Sequence, residues 1–224
     1  MQSRRMRRRP PLSPLRRTDA RIAPAAVGVT VPFVGLTGGL GSGKSTALEA
    51  LRRLGAEVIS SDAIVHELYE GEELREAVVE HFGPEVAPDG VVDRAALARA
   101  AFASDEERAW LEAQIWPRVG ARVASWLERA RSMEPAPPAA VVEVPLLFEA
   151  GLGELYDATV AVVSDEQLRA RRAADRGHEV VDERAARQLS QQEKAARATY
   201  VVHNDGTVED LQAQLSAVLG KLGG

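Results

Sequence analysis

The sequence predicts an α/β fold in which a mainly parallel five-stranded sheet lies between helical layers. Three observations predict it. Apolar runs of strand length recur five times. Segments with helical periodicity separate them. The first run, "VPFVGLT" from Val31, is apolar on both faces, as a covered central parallel strand must be. With 224 residues, 45% of them hydrophobic, the chain suits one domain with a packed core. No apolar run approaches bilayer length, so a soluble, cytoplasmic protein is expected. The absence of cysteine excludes disulfides, thiolate metal sites and a cysteine nucleophile.

Charge divides the chain. Residues 1–30 carry eight arginines against Asp19, a net +7, so the whole-chain charge of −5 leaves about −12 on the remainder. This head is rich in proline and lacks apolar periodicity, and it is expected to be a disordered basic extension. It has no secretory apolar core and reads either as a targeting or polyanion-binding arm or as a dispensable extension. The acidic body does not look like a nucleic-acid binder.

The domain proper is expected over 31–224. After the first strand, "STALEALRRLG" places Leu48, Leu51 and Leu54 on one helical face, with Gly55 as its stop. "AEVIS" is a second strand ending at Ser60. Residues 63–135 read as a helical insertion. Ser104 opens its longest helix with a capping-box pattern to Glu107, and Pro117 should kink or split that helix after Trp116. "AVVEV" (140–144), "ATVAVVS" (158–164) and "TYVVHN" (199–204) supply three more strands. Ser164 and Gln167 form another capping-box pattern, which opens an arginine-rich helical stretch over 166–198. "TVEDLQAQLSAVLGKL" closes the chain as an amphipathic helix.

The chemistry concentrates between the first strand and the first helix. Gly38, Gly39, Leu40, Gly41, Ser42, Gly43, Lys44 and Ser45 fit G-x-x-x-x-G-K-[ST] at every fixed position. Phosphate needs several backbone N–H groups converging on one point, through turns that side chains would obstruct, and the following helix aims its positive end at the anion. Lys44 can reach the β- and γ-phosphates, and the Ser45 hydroxyl can ligate Mg²⁺. The strand before and the helix after are the context the motif requires. The fold class is therefore that of the P-loop NTPases, with Gly38 to Ser45 and Thr46 as the ATP-binding stretch.

Asp62 follows the second strand, where ligands of an open parallel sheet collect. A carboxylate there can accept a proton from a substrate hydroxyl or hold Mg²⁺ through water; it can equally be a helix N-cap. Glu143, ending the third strand, fits a Mg²⁺-organising acid. Arg169, Arg171, Arg172, Arg176 and Arg187 crowd one stretch. Such a surface is ordinarily solvated, but beside a phosphate loop an arginine can neutralise the transferred phosphoryl. His66, His81, His178 and His203 show no metal-ligand spacing.

"FVGLTGGLGSGKST" with "VISSDAIVHEL" resembles the dephospho-CoA kinase family. "DGVVDRAALARAAF", "LEAQIWP", "VPLLFEAGL", "RQLSQQ" and "VVHNDGTVEDL" extend the likeness to nearly the whole chain from Val31. The resemblance implies transfer of the γ-phosphoryl of MgATP to the ribose 3′-hydroxyl of dephospho-CoA. It implies that Asp62 is the general base, that 166–198 is a lid in which Arg171 and Arg176 fit the family spacing, and that Asn204 lies on the adenine side. On the coenzyme side it implies Asp93 and Arg94, which are otherwise an ordinary helix start, and Glu149, which otherwise only caps a loop. Two positions depart from the family pattern: Ser60 replaces its first aspartate, and Trp116 replaces a histidine before proline. The alternatives are another small-molecule or nucleotide kinase of this architecture, or a nucleotide-dependent switch. No guanine-reading Asn/Thr-Lys-x-Asp string is present.

Overall fold

A computed structural model describes residues 30–174 and 188–223. The expectations for the basic head, Arg176, Arg187 and His178 fall outside the described residues. β1 (Phe33–Gly38) leads through the glycine loop into α1 (Lys44–Arg53), and β2 (Glu57–Ser60) follows. α1 stops where the sequence places its stop: Leu54 is the C-cap and Gly55 takes φ 87°, which only glycine adopts without strain.

Next come α2 (Ser61–Glu70), α3 (Glu72–Phe82), α4 (Arg94–Ala101) and the long α5 (Asp105–Arg131). β3 (Ala140–Glu143), β4 (Ala158–Val163), α6 (Glu166–Ala174), α7 (Gln191–Arg197), β5 (Tyr200–His203) and α8 (Val208–Leu222) complete the chain. The sheet order is β2-β3-β1-β4-β5, and every neighbouring pair is parallel. The chain moves from β1 out to β2, returns to β3, and then crosses to β4 on the far side of β1. That reversal opens a crevice at the carboxyl ends of β1 and β3.

Alternate residues of the strands face opposite layers. Val34, Leu36, Val141, Val160 and Val162 pack under Ala47, Ala50 and Leu51 of α1 and Leu211 and Leu215 of α8. Ala140, Val142 and Val144 face the other way, onto Trp126 and Ala130 of α5 and Leu147. A separate core, built on Ile64, Leu74, Val78, Leu97, Ile115 and Val119, holds α2 to α5 together. One end of α5 thus belongs to the insertion and the other covers the sheet. Among the described residues no helix is long and apolar enough to cross a membrane.

Pro117 does not split α5, which runs unbroken from Asp105 to Arg131. Proline removes the hydrogen bond to the carbonyl four residues back, that of Ala113. Ala113 and Pro117 both lie on the exposed side, so water can satisfy that carbonyl, while Ile115 and Val119 on the opposite side stay buried. The two capping-box patterns are also corrected. The Ser104 hydroxyl accepts from the Glu107 N–H, but the Glu107 carboxylate turns to the His81 imidazole instead of returning to the cap. At α6 the cap is Asp165, whose Oδ1 accepts from the N–H groups of Gln167 and Leu168 at 2.9 and 3.2 Å. Ser164 does not serve there: its hydroxyl is buried without a hydrogen-bond partner among the described residues, while the Gln191 side chain pairs with its backbone N–H and carbonyl.

Candidate active site

Gly38 ends β1, buried, and the loop turns immediately. Gly41 and Gly43 take φ 75° and 90°. A Cβ on Gly43 would stand 1.9 Å from Asn204 Nδ2, and one on Gly41 would stand 2.5 Å from the Arg169 carbonyl oxygen. Both glycines are required by conformation and by space. Lys44 folds back over the loop, its Nζ donating to the Gly38 and Gly39 carbonyls at 3.1 and 3.4 Å. Ser45 is exposed at the amino end of α1, with Thr46 beside it at the rim of a groove that Glu49, Ala50, Arg53 and Val208 also line. Turns that only glycine permits, a lysine folded over them and a hydroxyl at the helix start are residues that fit a nucleoside triphosphate.

Asn204 is buried behind the loop. Its Nδ2 donates to the Ser42 carbonyl at 2.9 Å, so it braces the loop backbone. Two arginines of α6 reach the same place. Arg169 Nε donates to the Leu40 carbonyl and Arg172 Nη1 to the Asn204 carbonyl, each at 3.1 Å. They stand three residues apart on α6 and share a face. Arg171 lies between them in sequence and is exposed. The family resemblance singles out Arg171 and Arg176; the docking of α6 on the loop adds Arg169 and Arg172.

The carboxylates lie across the crevice. Strand register sets Ser60 of β2 and Leu36 of β1 on either side of Glu143. The Ser60 hydroxyl donates to Glu143 Oε2 at 2.6 Å, so the serine that replaces the family aspartate is a partner to the buried acid. Burial holds the Glu143 carboxyl above its ordinary range. The Ser60 hydrogen bond and the Lys44 charge oppose that shift, and the Asp62 charge adds to it. Lys44 and Asp62 are therefore each within electrostatic reach of Glu143.

Asp62 itself is exposed in the first turn of α2, whose N-cap is Ser60, not Asp62. This removes the capping reading of Asp62.

Asp93 is the N-cap of α4, accepting from the Ala95 and Ala96 N–H groups, and those bonds hold its carboxyl below the ordinary range. Arg94 pairs with the His66 imidazole of α2. Glu149 is brought elsewhere: Oε1 accepts from Lys194 Nζ at 2.9 Å and from the Leu189 N–H at 2.8 Å. Sequence reasoning passed over Lys194, because a lysine in a charged helical stretch carries no mark of burial. Among the described residues no three His, Asp or Glu side chains converge as a metal cage.

The parallel sheet and the glycine loop at the carboxyl end of its central strand together define a P-loop protein. A sequence model of dephospho-CoA kinase matches residues 32–210. Dephospho-CoA kinases of Symbiobacterium thermophilum and Deinococcus radiodurans are each 41% identical to this chain. The first match spans 83% of this chain and 79% of the relative, the second 84% and 91%. A crystal structure of a Thermus thermophilus protein superposes with a TM-score of 0.72 at 36% identity, covering 87% of this chain and 99% of that one. The dephospho-CoA kinase of Campylobacter jejuni shares the fold, with a TM-score of 0.57 at 23% identity over 85% of this chain and 97% of its own. The chain belongs to the dephospho-CoA kinase family and is a phosphotransferase of coenzyme A synthesis.

Proposed function

We propose that this site moves the γ-phosphoryl of ATP to the ribose 3′-hydroxyl of dephospho-CoA, with Asp62 as general base. The observation that carries the assignment is the placement of Asp62. It is an exposed carboxylate with no capping duty, at the carboxyl end of β2 and across the crevice from the phosphate loop. Such a group is free to accept the proton of an incoming hydroxyl.

The N–H groups from Gly39 to Thr46 hold the triphosphate, and Lys44 exchanges its two loop carbonyls for β- and γ-phosphate oxygens. The Ser45 hydroxyl, with Glu143 behind it, would hold Mg²⁺, which neutralises phosphate charge when bound. Arg169 and Arg172 reach the loop from α6, and Arg171 and Arg176 remain the lid residues that the family spacing favours. Asn204 keeps the loop in shape and borders the adenine side. Asp93 and Arg94 open α4 on the insertion side, where the coenzyme end of the acceptor would lie.

The regions 63–135 and 166–198 act as acceptor-binding insertion and lid. Their closure excludes the water that would otherwise hydrolyse ATP. A cytoplasmic setting goes with this reading, since both substrates are polyanions.

A coupled ADP-release assay with dephospho-CoA, AMP, shikimate and gluconate as acceptors tests the assignment. Turnover should appear with dephospho-CoA. Equal or faster turnover with another acceptor would replace it, and release of ADP without any acceptor would point to a switch.

A further inference from the structure

A buried lysine joins the two halves of the site. Lys194, on α7, is fully buried, and its Nζ reaches three oxygens. It pairs with Glu149 Oε1 at 2.9 Å and donates to the Pro145 carbonyl at 2.5 Å and to Thr37 Oγ1 at 3.5 Å. Thr37 Oγ1 in turn donates to the Pro145 carbonyl at 3.2 Å.

The positions of these partners matter. Thr37 immediately precedes Gly38, the first residue of the phosphate loop. Pro145 is two residues beyond Glu143. Glu149 also accepts the N–H of Leu189, five residues before Lys194 and near the end of the 166–198 stretch. One ammonium group therefore joins the root of the phosphate loop and the segment that follows the buried acid to the last part of that stretch.

Stability alone does not call for such a group. Burying a charged pair costs heavily in desolvation, and well-packed apolar residues commonly replace one without loss. Glu149 Oε2 is buried and has no hydrogen-bond partner among the described residues, so the pair is not even saturated. What an ammonium group supplies and a methyl group does not is a fixed direction from α7 to three oxygens on two other segments, β1 and the loop after β3.

We propose that Lys194, held by Glu149, is a positioning residue for the transfer. It sets the distance between the phosphate loop and Glu143 and fixes the chain as it leaves the lid. It touches neither substrate. Its loss should let the two halves of the site drift, and displacement of about 1 Å at a reacting centre costs roughly a hundredfold in rate. The effect belongs on kcat, because the N–H groups and side chains that bind the substrates all remain.

The test uses the full chain, with steady-state kinetics and thermal melting measured side by side. Lys194→Met should lower the melting temperature sharply, since it leaves a buried carboxylate unpaired. The double variant Lys194→Met/Glu149→Gln should recover most of that loss. Its kcat should nevertheless stay roughly ten- to a hundredfold below that of the unaltered protein, with KM for ATP and for dephospho-CoA each within about twofold. A double variant with recovered melting and normal kcat would overturn the proposal, as would a loss that falls on KM alone. If the double variant does not fold, Thr37→Val carries the test. It is nearly isosteric and removes one oxygen of the same node. A severalfold drop in kcat at unchanged KM supports the proposal, and an unchanged kcat sinks it. The proposal rests on the phosphoryl-transfer reading. Failure of that reading would show separately, as no turnover by the unaltered protein.

Discussion

In the proposed reaction Lys44 and Asp62 divide the chemistry between a cation that binds and a carboxylate that accepts. Lys44 is half-buried and belongs to none of the apolar core clusters. Lys44→Ala should leave the melting temperature nearly unchanged, while turnover falls by about 10²–10³ or more, as when a preorganised donor to developing charge is removed. Normal turnover would contradict the loop's role. Asp62 admits a cleaner test than the sequence alone suggested. Because Ser60 is the N-cap, Asp62→Asn and Asp62→Ala should both melt close to the unaltered protein, each losing only the charge–dipole contribution of about 0.3–1 kcal/mol. Both should lose about 10²–10⁴ in turnover if Asp62 is the base. Retained turnover in Asp62→Asn, with chemistry shown to limit the rate, would remove it from that role.

At the scale of elements, β3 and α5 hold the most informative tension. Glu143 ends β3 buried, with its folded-state proton affinity raised chiefly by desolvation. The folded state then binds the proton more tightly than the unfolded state. The associated stability is fully present below the ordinary value of 4.5 and is lost as pH rises from there through the higher folded value. Glu143→Gln keeps an acceptor for the Ser60 hydroxyl but cannot titrate. Melting curves across this range should fall with pH in the unaltered protein and flatten in the variant; identical slopes would show that Glu143 is not the titrating group. In α5, Pro117 sits mid-helix without ending it. Pro117→Ala should restore the bond to the Ala113 carbonyl and raise stability by about 1–3 kcal/mol in denaturant melts. No gain would mean that solvent already satisfies that carbonyl at no cost.

For the whole molecule, nucleotide binding couples the two layers. α1 and α8 cover one face of the sheet, α5 covers the other, and the phosphate loop, Asn204 and α6 meet at its carboxyl edge. A ligand held there stabilises only the folded state. ATP at about 100 times its Kd should therefore add roughly 2.7 kcal/mol, read as a rise in melting temperature. In Lys44→Ala that rise should largely vanish. A full ligand-induced rise in the variant would place the triphosphate elsewhere.

Local patterns in the sequence determined the strands, the glycine loop and the stop at Gly55. They suffice because each depends on residues within a few positions of one another: two-faced apolar runs, N–H groups freed by glycine, a positive φ past a helix end. Long-range placement decided the rest. Whether Pro117 breaks α5 depended on which side of the helix water reaches. Whether Ser164 or Asp165 caps α6 depended on which side chain stays at the surface: the Ser164 hydroxyl is buried and Asp165 is exposed. Which lid arginines meet the loop depended on the face α6 presents. The roles of Ser60 and Lys194 depended on strand register and on a lysine burying its charge against Glu149 and Pro145. Burial and register are properties of neighbours brought together across the sheet, and no local periodicity records them.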